Sequence, residues 1–101
     1  MTTRKEQTIP FVNLHGHTTF SIFDGMGYPK DHMDFAYENG SDALAFTDHG
    51  NMNALSYQVL HAKKMKAEGK KFKPIFGIEA YFIDDIDKWK KEKEERLWTF
   101  N

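Results

Sequence analysis

The chain has 101 residues, of which 40% are hydrophobic and 29% charged, and its formal net charge is −1 with histidine neutral. This composition predicts one small globular domain and argues against a disordered chain or one drawn to nucleic acid by its overall charge. The absence of cysteine excludes disulfides and zinc–thiolate sites. A polar start at 1–7 and the lack of a long apolar run predict a cytoplasmic protein with no signal peptide and no membrane partner.

The first half of the chain reads as an arm, a strand, a loop and a helix. A polar arm, 1–8, precedes an apolar segment at 9–14 that predicts a buried strand. The glycine-containing stretch 18–27 predicts a loop. A helix is expected between Pro29 and Gly40, because proline suits the first helical turn and glycine the position just past the last one.

The second half continues the alternation. The apolar run 43–46 predicts a second strand, and a helix follows that Asn51 or Asn53 would cap and Gly69 would end. The segment 75–83 predicts a third strand. Strands separated by helices favour right-handed crossovers and a parallel sheet, so the fold class is α/β.

We place one domain portion at 9–85 and a charged helix or linker at 86–101. Oppositely charged side chains recur four residues apart in the charged segment, as in Lys90 and Glu94, which is typical of an exposed helix. Because the chain stops without a helix-ending signal, we expect it to be the front part of something longer.

The first group with chemical potential is His15, His17 and Asp24. Residues two apart on a strand project to one side, so the two imidazoles would lie together. Neutral imidazoles suit zinc, manganese and iron, and the aspartate could fold back from the following loop as a ligand. The alternative is a pair of hydrogen-bonded histidines beside an ordinary Asp-Gly turn.

Two further groups follow the next two strands. Asp48 and His49 end the second strand, where the aspartate would either bind a metal or fix the histidine by a hydrogen bond. The alternative is an ordinary strand-to-helix loop. Glu79 lies in an apolar segment after Gly77, and a buried carboxylate needs a cation or strong hydrogen bonds. The alternative is an ion pair with a lysine.

The argument for a metal centre rests on the combination. All three groups fall at the carboxyl ends of successive parallel strands, the edge at which α/β proteins build their sites. The resulting nitrogen and oxygen ligand set suits a hydrolytic centre of two or more ions. Its members are His15, His17, Asp24, His49 and Glu79.

The three motifs "HGHTTFSIFDG", "AFTDHGNM" and "KPIFGIEAYF" resemble the first three motifs of the PHP (polymerase and histidinol phosphatase) family. From 10 to 84 the chain resembles the N-terminal PHP domain of bacterial or bacteriophage DNA polymerase III alpha subunits. The resemblance implies a distorted (β/α)₇ barrel of the TIM type, of which this chain would supply the first three βα units. It also implies up to three divalent ions in the complete domain, Zn²⁺ or Mn²⁺, with Fe²⁺ as a further candidate.

The resemblance assigns roles residue by residue, and the family's remaining ligands come from later strands. His15 and His17 match the paired histidine ligands, Asp24 the first acidic ligand, His49 the ligand of the Asp-His motif, Glu79 the ligand of the Gly-x-Glu motif, and Asp48 a residue beside the site. All six would serve catalysis through the bound metal.

The implied activity is metal-dependent phosphoester hydrolysis, acting as a 3′–5′ exonuclease-like proofreading function on the 3′ end of DNA within a replicative polymerase. One alternative is a non-catalytic metal-binding module that braces the polymerase. A second is a small-molecule phosphatase of the histidinol phosphatase type.

The length of the chain limits these expectations. A TIM-type barrel takes roughly 250 residues, so we expect the isolated piece to be inactive. Its partner would be the remainder of the polymerase on the same or another chain, or a second copy paired through an exposed sheet edge.

His32 and His61 match no motif and are expected at the surface. A lysine cluster is either a solvated face or a phosphate contact; its members are Lys63, Lys64, Lys66, Lys70, Lys71 and Lys73.

Overall fold

The computed structural model describes residues 4–100, with side chains as far as residue 97. The first three residues of the predicted arm and the last residue of the predicted charged segment lie outside the described residues. The chain is mixed α/β, as predicted, with fewer and shorter strands than expected. In chain order its elements are α1 (Pro29–Glu38), β1 (Ala43–Phe46), α2 (Leu55–Ala67), β2 (Lys73–Phe76) and α3 (Ile86–Phe100).

The first helix has the predicted bounds because two residues fix its ends. Pro29 is the first helical residue and is buried, and its ring holds the backbone at a helical φ. Gly40 has a φ of +93°, a left-handed conformation that ends a helix without the penalty other residues meet there. Between these ends, Met33 is fully buried against the sheet.

The strands β1 and β2 pair in parallel, as predicted, and the helix α2 connects them. Ala43 pairs with Lys73 at one end of the register and Phe46 with Phe76 at the other. Every residue of β1 is buried, whereas β2 is only half-buried. The difference follows from the sheet order, because β2 pairs only with β1 among the described residues and its other edge is open.

The helix α2 ends as predicted but begins differently. Gly69 follows the helix with a φ of +81°, the predicted stop. The predicted asparagine cap is wrong, because Ala54 occupies the cap position and makes no side-chain capping bond. The Oδ1 of Asn51 instead accepts the N–H of Asn53 at 3.1 Å, which folds a turn ahead of the helix.

The strand predicted at 9–14 is wrong. The segment makes one isolated parallel bridge, between Asn13 and Leu44, and just beyond it the Thr47 N–H donates to the Gly16 carbonyl at 2.7 Å. Apolar residues predicted a strand here, but a strand also needs a ladder of backbone hydrogen bonds along its length. The segment therefore runs beside β1 as extended chain that touches the sheet at only a few points.

The strand predicted at 75–83 is also displaced. It begins at Lys73 and stops at Phe76, immediately before Gly77. A side chain at Gly77 would bring its Cβ to 2.9 Å from the Thr47 methyl carbon, so the glycine allows a close approach that breaks the regular pairing. The chain then meets the extension of β1 again through Glu79, beyond the strand proper.

The core lies between the two helices α1 and α2 and the sheet. Its centre is apolar and is closed by aromatic and alanine side chains from the helix faces and the turn before β2. The four buried members are Met33, Leu44, Phe46 and Met65, and Ala36, Tyr37, Ala62 and Phe72 pack against them.

The predicted charged helix forms as α3, and it packs against no other element of the described chain. Its start is set by Asp85, whose Oδ1 accepts the N–H groups of Asp87 at 2.9 Å and Lys88 at 3.2 Å. None of the helices between residues 4 and 100 is both long enough and apolar enough to cross a membrane.

Candidate metal centre

A buried carboxylate shapes the loop that carries the first acidic side chain of the site. The Oδ1 of Asp48 accepts the Thr18 N–H at 2.6 Å and the Ser21 hydroxyl at 2.9 Å, and its Oδ2 accepts the Thr18 hydroxyl at 2.9 Å. Asp48 is only 2% exposed. Three donors therefore satisfy a charge that would otherwise be costly to bury.

The same loop is tied to the residue that follows Asp48. The Ser21 hydroxyl, which donates to Asp48, accepts the backbone N–H of His49 at 3.0 Å. Asn51 then donates one amide group to the carbonyls of both Phe20 and His49, each at 3.1 Å. The end of β1 and the loop 18–27 are thus held as one unit.

One glycine lets that loop close tightly. A Cβ at Gly25 would lie 2.0 Å from the carbonyl oxygen of Thr18, which no real side chain tolerates. The backbone can therefore fold over Thr18 only because this position has no side chain. This tight turn places Asp24, one residue earlier, against His17 and His49.

Asp24 lies between two imidazoles. Its Oδ2 is 2.9 Å from the Nδ1 of His17 and 2.5 Å from the Nε2 of His49. The predicted fold-back of Asp24 from the loop onto the paired histidines is therefore what the structure shows.

Glu79 faces the same imidazoles from the other side. Its Oε1 is 2.6 Å from the Nε2 of His15 and 3.6 Å from the Nε2 of His17. Its Oε2 contacts the Nδ1 of His49. The His17 ring sits between the other two, with ring centres 4.9 Å from His15 and 4.2 Å from His49.

These five side chains fit a divalent metal ion. They form two overlapping groups of three, His15–His17–Glu79 and His17–Asp24–His49, whose ligand atoms lie within 4.8 Å of one another. The Nε2 of His17 is buried and has no hydrogen-bond partner among the residues that the structure describes. An orphaned buried nitrogen among carboxylates is costly unless a cation or donor reaches it. Imidazole and carboxylate donors suit zinc, manganese or iron. We call the five residues the ligand cluster.

The geometry around His17 indicates which nitrogen is available. A neutral imidazole has one N–H and one lone pair. The Nδ1 of His17 lies 2.9 Å from the Oδ2 of Asp24, whereas its Nε2 is buried without a hydrogen-bond partner among the described residues, so Nε2 is the ring nitrogen left to bind a metal.

The structure brings together all five residues expected as ligands and places Asp48 outside both groups of three. Both oxygens of Asp48 are taken up by Thr18 and Ser21. Asp48 does not touch the ring of His49, the alternative considered from sequence, and reaches that residue only through Ser21 and the backbone.

Sequence reasoning missed one ring contact at the ligand cluster and the environments of the two other histidines. Tyr81 stacks on His49 with ring centres 6.4 Å apart, a placement that its position two residues after Glu79 could have suggested. Surface placement of His61 is wrong, since its side chain is 12% exposed and its Nε2 lies 2.7 Å from Asp34 Oδ1. His32, half-buried, contacts the carbonyl of Met26.

Most of the lysine cluster lies away from these ligands. Lys66, Lys70, Lys71 and Lys73 line a depression of about 560 Å³ together with Arg4. Because Lys73 begins β2 and Glu79 follows its end, the depression lies toward the opposite end of the sheet. We call it the basic depression.

The chain matches the family model described as "PHP domain" over residues 13–99. It is 42% identical over 76 residues to a protein named DNA polymerase III PolC-type from Thermotoga maritima, and the match covers 75% of this chain and 5% of that protein. It is 40% identical over 89 residues to DNA polymerase III subunit alpha of Aquifex aeolicus, covering 86% and 7% of the two chains.

A third relative, DNA polymerase III subunit alpha of Campylobacter jejuni, is 41% identical over 80 residues, covering 76% of this chain and 6% of the relative. The chain thus spans about 5–7% of the length of these curated relatives. No solved structure gives a significant match.

Proposed function

The chain belongs to the PHP domain family, and on that premise we propose that its ligand cluster binds divalent metal ions for phosphoester hydrolysis. His15, His17, Asp24, His49 and Glu79 are the proposed ligands. The observation that carries the proposal is the orphaned, buried Nε2 of His17, which faces a carboxylate within a convergence of three imidazoles.

The metal would supply two things: charge stabilisation at the phosphate oxygens and a water acidic enough to give hydroxide near neutral pH. The chain's own residues position this chemistry. Asp24 lies against both His17 and His49 as a ligand, and Asp48 acts as a positioning residue that holds the loop bearing Asp24. The exposed face of His15, at 66% of its side-chain area, leaves the cluster open to a substrate from solvent.

For the substrate we propose the 3′ end of DNA, hydrolysed in a 3′–5′ exonuclease-like proofreading reaction by the complete domain within a bacterial or phage replicative polymerase in the cytoplasm. Support comes from the relatives, which are named as DNA polymerase III. Later strands would complete the barrel and supply the remaining ligands, so that the whole domain holds up to three Zn²⁺, Mn²⁺ or Fe²⁺ ions. We propose that this chain alone does not hydrolyse the substrate.

A second candidate function is favoured by the weak pairing of the first segment. The chain around His15 meets the sheet at only a few points, a bridge at Asn13 and the Thr47–Gly16 hydrogen bond, and Glu79 lies beyond the end of β2. A metal held by both would tie these segments together. On this reading the metal is a structural staple that braces the polymerase, without hydrolysis.

The first test is metal binding by the full chain. After treatment with a chelator and reloading with Zn²⁺ or Mn²⁺, the wild type should retain bound metal by elemental analysis. His17→Ala should retain at least 10-fold less, because it removes the residue that both groups share. His32→Gln is the matched control, since His32 contacts Met26 rather than the ligand cluster, and it should bind as the wild type does.

The second test separates the two functions. In the complete protein that carries this domain, loss of the same histidine should abolish metal-dependent release of nucleotides from a 3′-labelled DNA end. Loss of stability with unchanged hydrolysis would support the staple instead. Turnover of a sugar phosphate with no action on DNA ends would support a small-molecule phosphatase, and equal metal content in His17→Ala and wild type would refute both metal proposals.

A further inference from the structure

An exposed aromatic groove lies beside the loop 18–27, and none of the five residues of the ligand cluster lines it. Its volume is about 490 Å³, and it is lined by the start of α1 and one face of α2. The residues that matter here are Tyr28, Lys30, Tyr57, Leu60 and Lys64. A groove of this size is in the range that holds a nucleotide-sized ligand.

The aromatic side chains of the groove form an exposed platform. Phe20 stacks on Tyr57 with ring centres 5.4 Å apart and planes 29° apart, and it meets the edge of Tyr28 at 6.5 Å. Even so, Tyr28 is 55% exposed and Tyr57 is 51% exposed. Packing with one another therefore leaves about half of each tyrosine in water, where a flat ligand can stack on it.

The charge of the groove is positive. Lys30 and Lys64 line it, and neither takes part in an ion pair within the described part of the chain. His61, which also lines the groove, is paired with the carboxylate of Asp34 at 2.7 Å. Aromatic rings beside unpaired lysines are the combination that binds single-stranded nucleic acid, with bases on the rings and phosphates on the cations.

The groove and the ligand cluster are mechanically connected. Phe20 and Asp24 belong to the same loop, and Asn51 ties the Phe20 carbonyl to that of His49. The next residue, Ser21, bonds both Asp48 and the His49 N–H. The platform is thus held at a fixed position relative to the proposed ligands.

We propose that this aromatic groove binds single-stranded DNA, with a base stacked on the Tyr57 and Tyr28 platform and phosphates at Lys30 and Lys64, so that the strand's end is held toward the ligand cluster. The choice of DNA rests on the proposed function. The recognition itself depends on stacking and charge and requires no metal, so it can be tested separately.

The test measures binding of a fluorescein-labelled 12-nucleotide oligo-dT to the full chain by anisotropy, at low salt with a chelator present. Tyr57→Leu should weaken binding roughly 5- to 150-fold, the range for loss of one stacked base, while Tyr57→Phe should bind as the wild type does. The leucine retains apolar bulk at this half-exposed position. Unchanged far-UV circular dichroism in each variant would confirm that it folds.

The lysines are tested by salt dependence. The double variant Lys30→Gln, Lys64→Gln should lower the magnitude of the slope of log K against log salt by about 1.4, since each phosphate contact to a single strand contributes about 0.7. Lys71→Gln with Lys73→Gln, in the basic depression, is the matched control and should leave the slope unchanged. Photocrosslinking of an oligonucleotide carrying 5-iodo-deoxyuridine should mark Tyr28 or Tyr57.

The outcomes separate this inference from the proposed function. Equal affinity in Tyr57→Leu and wild type, absence of oligonucleotide binding, or a slope change confined to the basic-depression control would each overturn the groove proposal while metal content stays intact. Loss of metal in His17→Ala has no bearing on binding in the chelator. A groove that binds DNA in a chain whose metal content is unaffected by His17→Ala would leave this inference standing and the metal proposal refuted.

Discussion

Replacing Asp48 should destabilise the chain far more than replacing an exposed aspartate. The carboxylate is 2% exposed and accepts three hydrogen bonds, two from Thr18 and one from Ser21. In Asp48→Ala all three donor groups lose their acceptor, and both residues that carry them, Thr18 and Ser21, are themselves buried. The perturbation therefore falls on the loop that delivers Asp24 to the ligand cluster.

The magnitude follows from these contacts. Hydrogen bonds to a charged group contribute about 1.5–3 kcal/mol each, which puts the upper limit for three at about 5–9 kcal/mol. Each buried donor left without an acceptor costs about 1–3 kcal/mol. Because the alanine variant also relieves the desolvation of the Asp48 charge, we expect a net loss of about 3–5 kcal/mol in the free energy of unfolding. Asp48→Asn keeps an oxygen where Oδ1 accepts two of the bonds but loses the charge and the Oδ2 acceptor of the Thr18 hydroxyl, so it should cost about 1–2 kcal/mol.

The assay is urea unfolding followed by far-UV circular dichroism, without metal. Asp42→Ala is the matched control, because its side chain is 76% exposed and forms a surface pair with Arg4; such surface pairs contribute about 0–1 kcal/mol. The expected order of midpoints is wild type and Asp42→Ala highest, then Asp48→Asn, then Asp48→Ala. A midpoint for Asp48→Ala equal to that of Asp42→Ala would refute the reasoning.

Three further predictions concern packing, loop closure and metal. Gly25→Ala should lower the free energy of unfolding by more than about 2 kcal/mol and weaken metal binding, because its Cβ would lie 2.0 Å from a carbonyl oxygen. Its control is Gly69→Ala, which has open space around the Cβ but a φ of +81°. That variant should lose about 1 kcal/mol by urea unfolding and bind metal as the wild type does. Met33→Ala should cost about 2–5 kcal/mol, since the side chain is fully buried, whereas Phe35→Ala, at a side chain 68% exposed, should cost much less; equal thermal midpoints for the two would contradict the assigned core. Zn²⁺ at 100 times its dissociation constant should stabilise the wild type by about 2.7 kcal/mol in thermal unfolding, and a similar gain in His17→Ala would argue against the ligand cluster.

The helix boundaries could be predicted because single residues determine them. Pro29 and Gly40 bracket α1, and Gly69 ends α2, each for a local backbone reason that does not depend on the rest of the fold. The start of α2 could not be predicted this way. Asn51 has the right chemistry for a cap, but it is used in a turn instead.

The strand predictions failed where pairing is non-local. The segment 9–14 has strand-like apolar residues, yet Ile9 is 78% exposed and Phe11 63% exposed, because only Asn13 reaches the sheet in a bridge. Similarly, the predicted third strand ends early at Gly77, where the Thr47 side chain approaches the backbone closely. Such outcomes depend on what lies opposite each residue, which composition and periodicity do not specify.

The ligand cluster could be predicted from the sequence because the carboxyl ends of parallel strands meet at the same edge of the sheet. His49 follows β1 and Glu79 follows β2, so their convergence is dictated by the parallel register even though the strand bounds were misjudged. The role of Asp48 could not be predicted from the sequence, since nothing in the sequence marks Thr18 and Ser21 as the residues that bond to it in the folded chain.

The most direct test of the metal centre is nuclear magnetic resonance of the histidine ring nitrogens in ¹⁵N-labelled full chain, recorded as Zn²⁺ is added. The account predicts large shifts for ring nitrogens of His15, His17 and His49, with the Nε2 of His17 as the metal-bound atom, and none for His32 and His61. Shifts confined to His32 or His61, or no shift in the ligand cluster at saturating Zn²⁺, would contradict it.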